Sequence, residues 1–102
     1  MNREIIFGST KQRAIVKLNE IINGIIASKD EFVVQERVDE IVTNKRKITA
    51  LSVNETTIGY RCDKAYVDLE VTLKMLNLIV KPCLKPNGYK DGKFNIDLFG
   101  EV

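Results

Sequence analysis

A short β-branched apolar run at residues 4–7 breaks at Gly8-Ser9-Thr10. Beyond it, Ala14, Ile15, Leu18, Ile21, Ile22, Ile25 and Ile26 recur every three or four residues. The first run reads as a strand. The second places its apolar side chains on one broad stripe of a helix over residues 11–27 and leaves Lys17, Asn19, Glu20 and Asn23 largely outside it. Ser9 or Thr10 offers the capping oxygen. A strand, a tight turn and an amphipathic helix in that order require the helix to cover a sheet, which commits the chain to an α/β class. Gly24 weakens the helix by about 1 kcal/mol relative to alanine and suggests close packing on the sheet.

Further elements follow from pattern and punctuation. Residues 31–35 read as a second strand. Residues 38–43 are open between strand and short helix, and their β-branched content and pairing with residues 48–53 favour a strand. The connecting hairpin turn, residues 44–47, carries Lys45, Arg46 and Lys47 as a basic cluster expected at a solvated tip. A loop over residues 54–61 leads to a buried strand at 64–69. A second helix over 71–80 then faces Leu73, Leu76 and Val80 inward and stops at Pro82. After the Lys85-Pro86-Asn87-Gly88 and Asp91-Gly92 turns, Phe94, Ile96 and Leu98 alternate. Residues 85–102 thus read as an edge strand or a docking arm. The expectation is one α/β domain over residues 1–102, a small two- or three-layer sandwich with a mixed sheet and two main helices. The parallel connection through the first helix is expected to be right-handed.

Composition narrows the function classes. With 102 residues, 44% hydrophobic and 29% charged, the chain fits one small core, and a net charge of +2 is too mild to argue for nucleic acid alone. Cys62 and Cys83 stand in no ligand spacing and histidine is absent, which argues against a zinc site or a Cys-His nucleophile. The cysteines are expected to act as small buried hydrophobes in a reducing cytoplasm. No apolar run approaches the roughly 20 residues that span a bilayer, and residues 1–4 lack a signal-peptide pattern. No membrane association is expected.

Chemistry concentrates in residues 56–70. Asp68 ends an apolar strand, where α/β sheets collect ligands, and period-two geometry brings Glu70 to the same side. Two such carboxylates suit Mg²⁺ through oxygen ligands. Alternatively, they favour the start of the second helix as caps. In Thr56-Thr57-Ile58-Gly59-Tyr60-Arg61, Gly59 permits a special turn and Arg61 presents a planar fork for phosphate or carboxylate, or else pairs with Asp63. Asp68 is expected beside the turn that carries Arg61. Gly8-Ser9-Thr10-Lys11 is not a phosphate-binding loop, and Lys11 and Arg13 at a helix amino end are unfavourable without an anion.

Arranged in this order, the residues resemble part of the ATPase domain of phage terminase large subunits and helicase-like motors, across about two thirds of the chain. Residues 5–7 with the first helix, residues 48–52, Gly59-Tyr60-Arg61 and residues 65–68 look like the family's corresponding strand, helix, hairpin strand, loop and acidic strand. Gly59, Arg61 and Asp68 are the residues the resemblance carries over. It implies a fragment of a P-loop-type fold and a role in handling DNA. Two departures argue against ATP hydrolysis: the phosphate-loop lysine is missing, and Leu69 stands where the family's glutamate follows aspartate. The expected function is therefore a non-catalytic phage-type domain that binds DNA or a DNA-processing protein through Lys45, Arg46, Lys47, Gly59 and Arg61. The alternatives are a metal-dependent phosphodiester or nucleotide enzyme using Asp68 and Glu70, and a homo-oligomeric module joined through residues 94–102.

Overall fold

In the computed structural model, which describes residues 2–54, 59–85 and 87–100, β1 (Asn2–Gly8) runs through the middle of a six-stranded sheet. The chain continues into α1 (Lys11–Ile26), β2 (Val33–Arg37), β3 (Glu40–Thr43), β4 (Arg46–Ser52) and β5 (Lys64–Asp68). A second helical segment follows, built of α2 (Leu73–Met75), a π-helical stretch (Leu76–Val80) and α3 (Lys81–Leu84). A small hairpin of β6 (Tyr89–Lys90) and β7 (Lys93–Phe94) precedes β8 (Ile96–Phe99). The sheet order is β2-β3-β4-β1-β5-β8. β1 pairs in parallel with both β4 and β5, and β8 pairs in parallel with β5. β3 is antiparallel to β2 and β4, so the sheet is mixed.

Strand alternation explains the layers. Ile6, Ile41, Ile48 and Ala50 point to one face, where Ala14, Leu18, Ile22 and Ile25 of α1 cover them. Ile5, Phe7, Ala65 and Val67 point to the other, against Ile79, Val80, Cys83 and Leu84. β1 is apolar on both faces because it is buried on both. Thr10 caps α1, its Oγ1 accepting from the Arg13 N–H at 3.2 Å. Among the described residues, no helix is long and apolar enough to cross a membrane.

Several expectations change in detail. Residues 38–43 do contain a strand, but Val38 lies in the β2–β3 turn and is 79% exposed. Gly24 is exposed, and a Cβ there would meet nothing within 4 Å, so close packing is not its role. The second helical segment does not stop at Pro82. The π-helical stretch shifts the hydrogen-bond pattern, and Pro82 falls in the first turn of α3, where its missing N–H is tolerated. The inward face shifts too: Leu73 is 70% exposed while Ile79, Cys83 and Leu84 are buried beside Val80.

The largest departure concerns the basic cluster. The hairpin turn is confined to Asn44 and Lys45, and Arg46 already belongs to β4. Its side chain turns back onto the sheet, donating from Nε and Nη2 to Glu31 at 2.8 and 3.0 Å and from Nη1 to Glu4 at 2.9 Å. The Tyr66 hydroxyl also donates to Glu4, at 2.8 Å, and the Thr43 hydroxyl to Glu31, at 2.6 Å. Burial acts to lower the pKa of the guanidinium, but the hydrogen bonds and charges of Glu31 and Glu4 outweigh it and raise the net value. Arg46 is thus a clamp across β1, β3, β4 and β5, with Lys45 alone at the tip. Replacing it leaves two largely buried carboxylates without their partner. Urea unfolding is expected to register a loss of about 3 kcal/mol for Arg46→Ala, and a change within about 0.5 kcal/mol for the exposed Lys45→Ala.

Candidate functional site

The connection leaving β1 carries α1 over one face toward β4, and the connection leaving β5 carries the second helical segment over the other face toward β8. The carboxyl ends of β1 and β5 therefore flank a topological switch point, the usual ligand crevice of an open α/β sheet. Asp68 is the last residue of β5 and is 1% exposed. It fills that crevice with the chain's own contacts. Its Oδ2 accepts from the Ser9 N–H at 3.1 Å, the Ser9 hydroxyl at 2.8 Å and Arg13 Nε at 2.5 Å. Its Oδ1 accepts from Arg13 Nη2 at 2.8 Å and from the Glu70 N–H at 3.0 Å.

These contacts hold the Asp68 carboxyl well below the usual carboxylate range. The Arg13 hydrogen bond is the largest cause, burial opposes it, and the Glu70 and Ser9 N–H groups reinforce it. Gly100, at φ +96°, closes the site: a Cβ there would lie 2.9 Å from Arg13 Nη2 and 3.1 Å from Asp68 Oδ1. Asp68 does not cap the second helical segment, because Thr72 does so by accepting from the Met75 N–H at 3.2 Å. Glu70 lies nearby, 3.4 Å from the Ser9 hydroxyl and 3.7 Å from Arg13 Nε. The pair expected for Mg²⁺ is therefore together, but the donor set does not fit the ion. All of Asp68's acceptor capacity faces N–H and O–H donors, one of them already a cation. Among the described residues, no cluster of three metal-ligating side chains occurs.

Arg61 is not at this site. It precedes β5, whereas Asp68 ends it, so the strand's length of roughly 13 Å, at 3.3 Å per residue, separates them. Arg13 takes the place expected for Arg61. The expected Arg61–Asp63 pairing gives way to a different contact: Asp63 accepts from the backbone N–H of Arg3 at 2.8 Å, while Arg61 Nη1 donates to the Tyr60 carbonyl at 3.2 Å. Gly59 has φ +99°, the turn its position called for. Thr56, Thr57 and Ile58 lie outside the described residues, as do Glu101 and Val102 of the expected docking arm. Leu98, on the edge strand β8, is 64% exposed.

A second concavity, an open groove of ≈ 590 Å³, lies along β4 and the start of β1 and is bounded by Gly59, Tyr60 and Arg61. Four cations line it: Arg3, Arg37, Lys47 and Arg61. Its acids are each engaged elsewhere or locally: Glu4 by Arg46, Asp39 by Lys11 at 3.0 Å, and Glu40 by Lys47 at 3.7 Å. Among the described residues, Arg3, Arg37 and Arg61 form no ion pair. Tyr60, half exposed, stands beside them. Sequence reasoning identified Arg61 and Lys47 but missed Arg3 and Arg37, which only the strand pairing brings alongside.

No protein-family model, curated protein or solved structure matches the chain.

The Asp68 contacts predict an acid response. A folded-state pKa held below the unfolded value contributes stability above about pH 4 that is lost as the pH falls through the folded value. Wild-type protein should therefore lose stability on acidification below about pH 4. Asp68→Asn should unfold about 2 kcal/mol more easily at pH 7 and show a flatter dependence in that acid range, read by urea melts from neutral to acid pH.

Proposed function

We propose that this protein is a non-catalytic α/β domain that binds nucleic acid in the groove between β4 and the Gly59-Tyr60-Arg61 turn. The observation that carries the reading is that Arg3, Arg37 and Arg61, none of them in an ion pair among the described residues, line one groove beside a half-exposed tyrosine. Guanidinium forks match phosphate oxygens bidentately, and their charge displaces the counterions condensed on a polyanion. Only Lys47 of the expected Lys45-Arg46-Lys47 contact lines the groove, since Arg46 is committed to Glu4 and Glu31. Lys45 remains exposed at the turn.

One further consideration supports the reading. The crevice in which an α/β nucleotide enzyme would hold phosphate is filled by Asp68 and Arg13, which favours a binding role over turnover.

A salt titration of DNA binding tests it. Wild-type protein should bind at low salt and weaken steeply as salt rises. Arg3→Gln/Arg37→Gln/Arg61→Gln should weaken binding and lower the log–log salt slope by about 0.7–0.9 for each phosphate that is no longer neutralised. A wild-type titration that stays flat at low salt would sink the proposal.

A further inference from the structure

The hairpin after α3 carries a charge arrangement that its own folding does not explain. Lys90 and Lys93 are direct cross-strand partners of β6 and β7, a placement that is destabilising for like charges. Lys81 and Lys85 stand over the neighbouring cross-strand pair, Tyr89 and Phe94. Lys81 Nζ lies 5.4 Å from the centre of the Phe94 ring, and Lys85 Nζ lies 5.6 Å from that of Tyr89. The two rings pack with centroids 4.6 Å apart. Among the described residues, none of these four lysines is ion-paired, and Asp91 is the acid within the hairpin itself. Two cations over an aromatic pair and two more on the adjoining cross-strand pair, against the single hairpin carboxylate of Asp91, form a surface for an anion.

This surface adjoins the groove. A cavity of ≈ 500 Å³ beside the hairpin is lined by Asn2, Asp63, Asn87, Lys90, Lys93 and Asn95, among others. Asn2 immediately precedes Arg3 of the groove, and Asp63 is bound to the Arg3 backbone in both directions, at 2.8 and 2.7 Å. The acids close to the junction are engaged: Asp63 with the Arg3 N–H, and Asp97 with Lys64 at 2.9 Å.

We infer that the hairpin and α3 form a second phosphate-contacting surface continuous with the groove, so that a single-stranded nucleic acid follows one track past the start of β1. The inference rests on nucleic-acid binding by the groove. An unpaired strand suits the track because Tyr60 is free to stack on a base while guanidinium and ammonium groups follow the backbone.

The test is fluorescence anisotropy at low salt with labelled oligothymidine of about 5 and about 20 nucleotides, and with a duplex of the longer length. Wild type should bind the long strand about tenfold or more tighter than the short one, and tighter than the duplex. Lys81→Gln/Lys85→Gln/Lys90→Gln/Lys93→Gln should keep the short-strand affinity, lose the length-dependent gain and show a salt slope reduced by about 0.7 per phosphate left unneutralised. Lys85, Lys90 and Lys93 are exposed and Lys81 is partly so, and an unchanged melting temperature verifies the fold of the variant. Equal wild-type affinity for both lengths, or a lysine variant that matches wild type on the long strand, would overturn the track and leave the groove standing. Duplex binding as tight as single-strand binding would overturn the choice of ligand. An absence of wild-type binding to every probe would remove both readings.

Discussion

A buried carboxylate joins the amino end of α1 to the rim of the sheet, and the arrangement of the molecule follows from it. Arg13 sits in the first turn of a helix whose dipole disfavours cations there. Asp68 compensates, and in doing so draws the turn after β1, the end of β5 and the chain after β8 to a single point. Asp68 is buried and accepts five hydrogen bonds, while Arg13 keeps part of its side chain in solvent, which lowers the desolvation cost of the pair. The consequence for function is negative at this point and positive elsewhere. The crevice that most α/β sheets keep for ligands is closed by the protein's own side chains.

What remains available is set by coverage. The second helical segment is short and packs over β1 and β5, while α1 covers the opposite face. Among the described residues, no helix shields the outer face of β4, where Lys47, Thr49 and Leu51 line the groove. Arg3 and Arg37 reach it by strand register: Arg3 stands beside Lys47 across β1 and β4, and Arg37 opposes Glu40 across β2 and β3.

Local pattern made the backbone legible and left the side-chain partnerships hidden. The helix follows from an Ile and Leu stripe that buries one face, the strand before Gly8 from a short apolar run buried on both, and the final edge strand from its alternation, although Leu98 stays exposed. Pro82 misled because its usual effect assumes an uninterrupted α-helix, and a π-helical stretch moved it to a harmless position. The partner of Asp68 was out of reach for another reason. Arg61 is close in sequence and fitted the resemblance, whereas Arg13 is 55 residues away and meets Asp68 only once the sheet is assembled. The clue was the cation at the amino end of α1, unfavourable unless an anion stands opposite, and the anion was internal. Arg46 likewise read as one of three surface charges until Glu4 and Glu31 converged on it from separate segments.

The two thiols in the core bear on how the protein responds to its surroundings. Burial pushes the Cys62 thiol up to about 12 and raises that of Cys83 as well. Histidine, the side chain whose proton ordinarily comes and goes between about pH 5 and 8, is absent from the chain. Neither thiolate formation nor imidazole protonation then alters the electrostatic field of the molecule through the neutral range. Ionic strength, rather than acidity, becomes the environmental variable to which its charged surfaces answer.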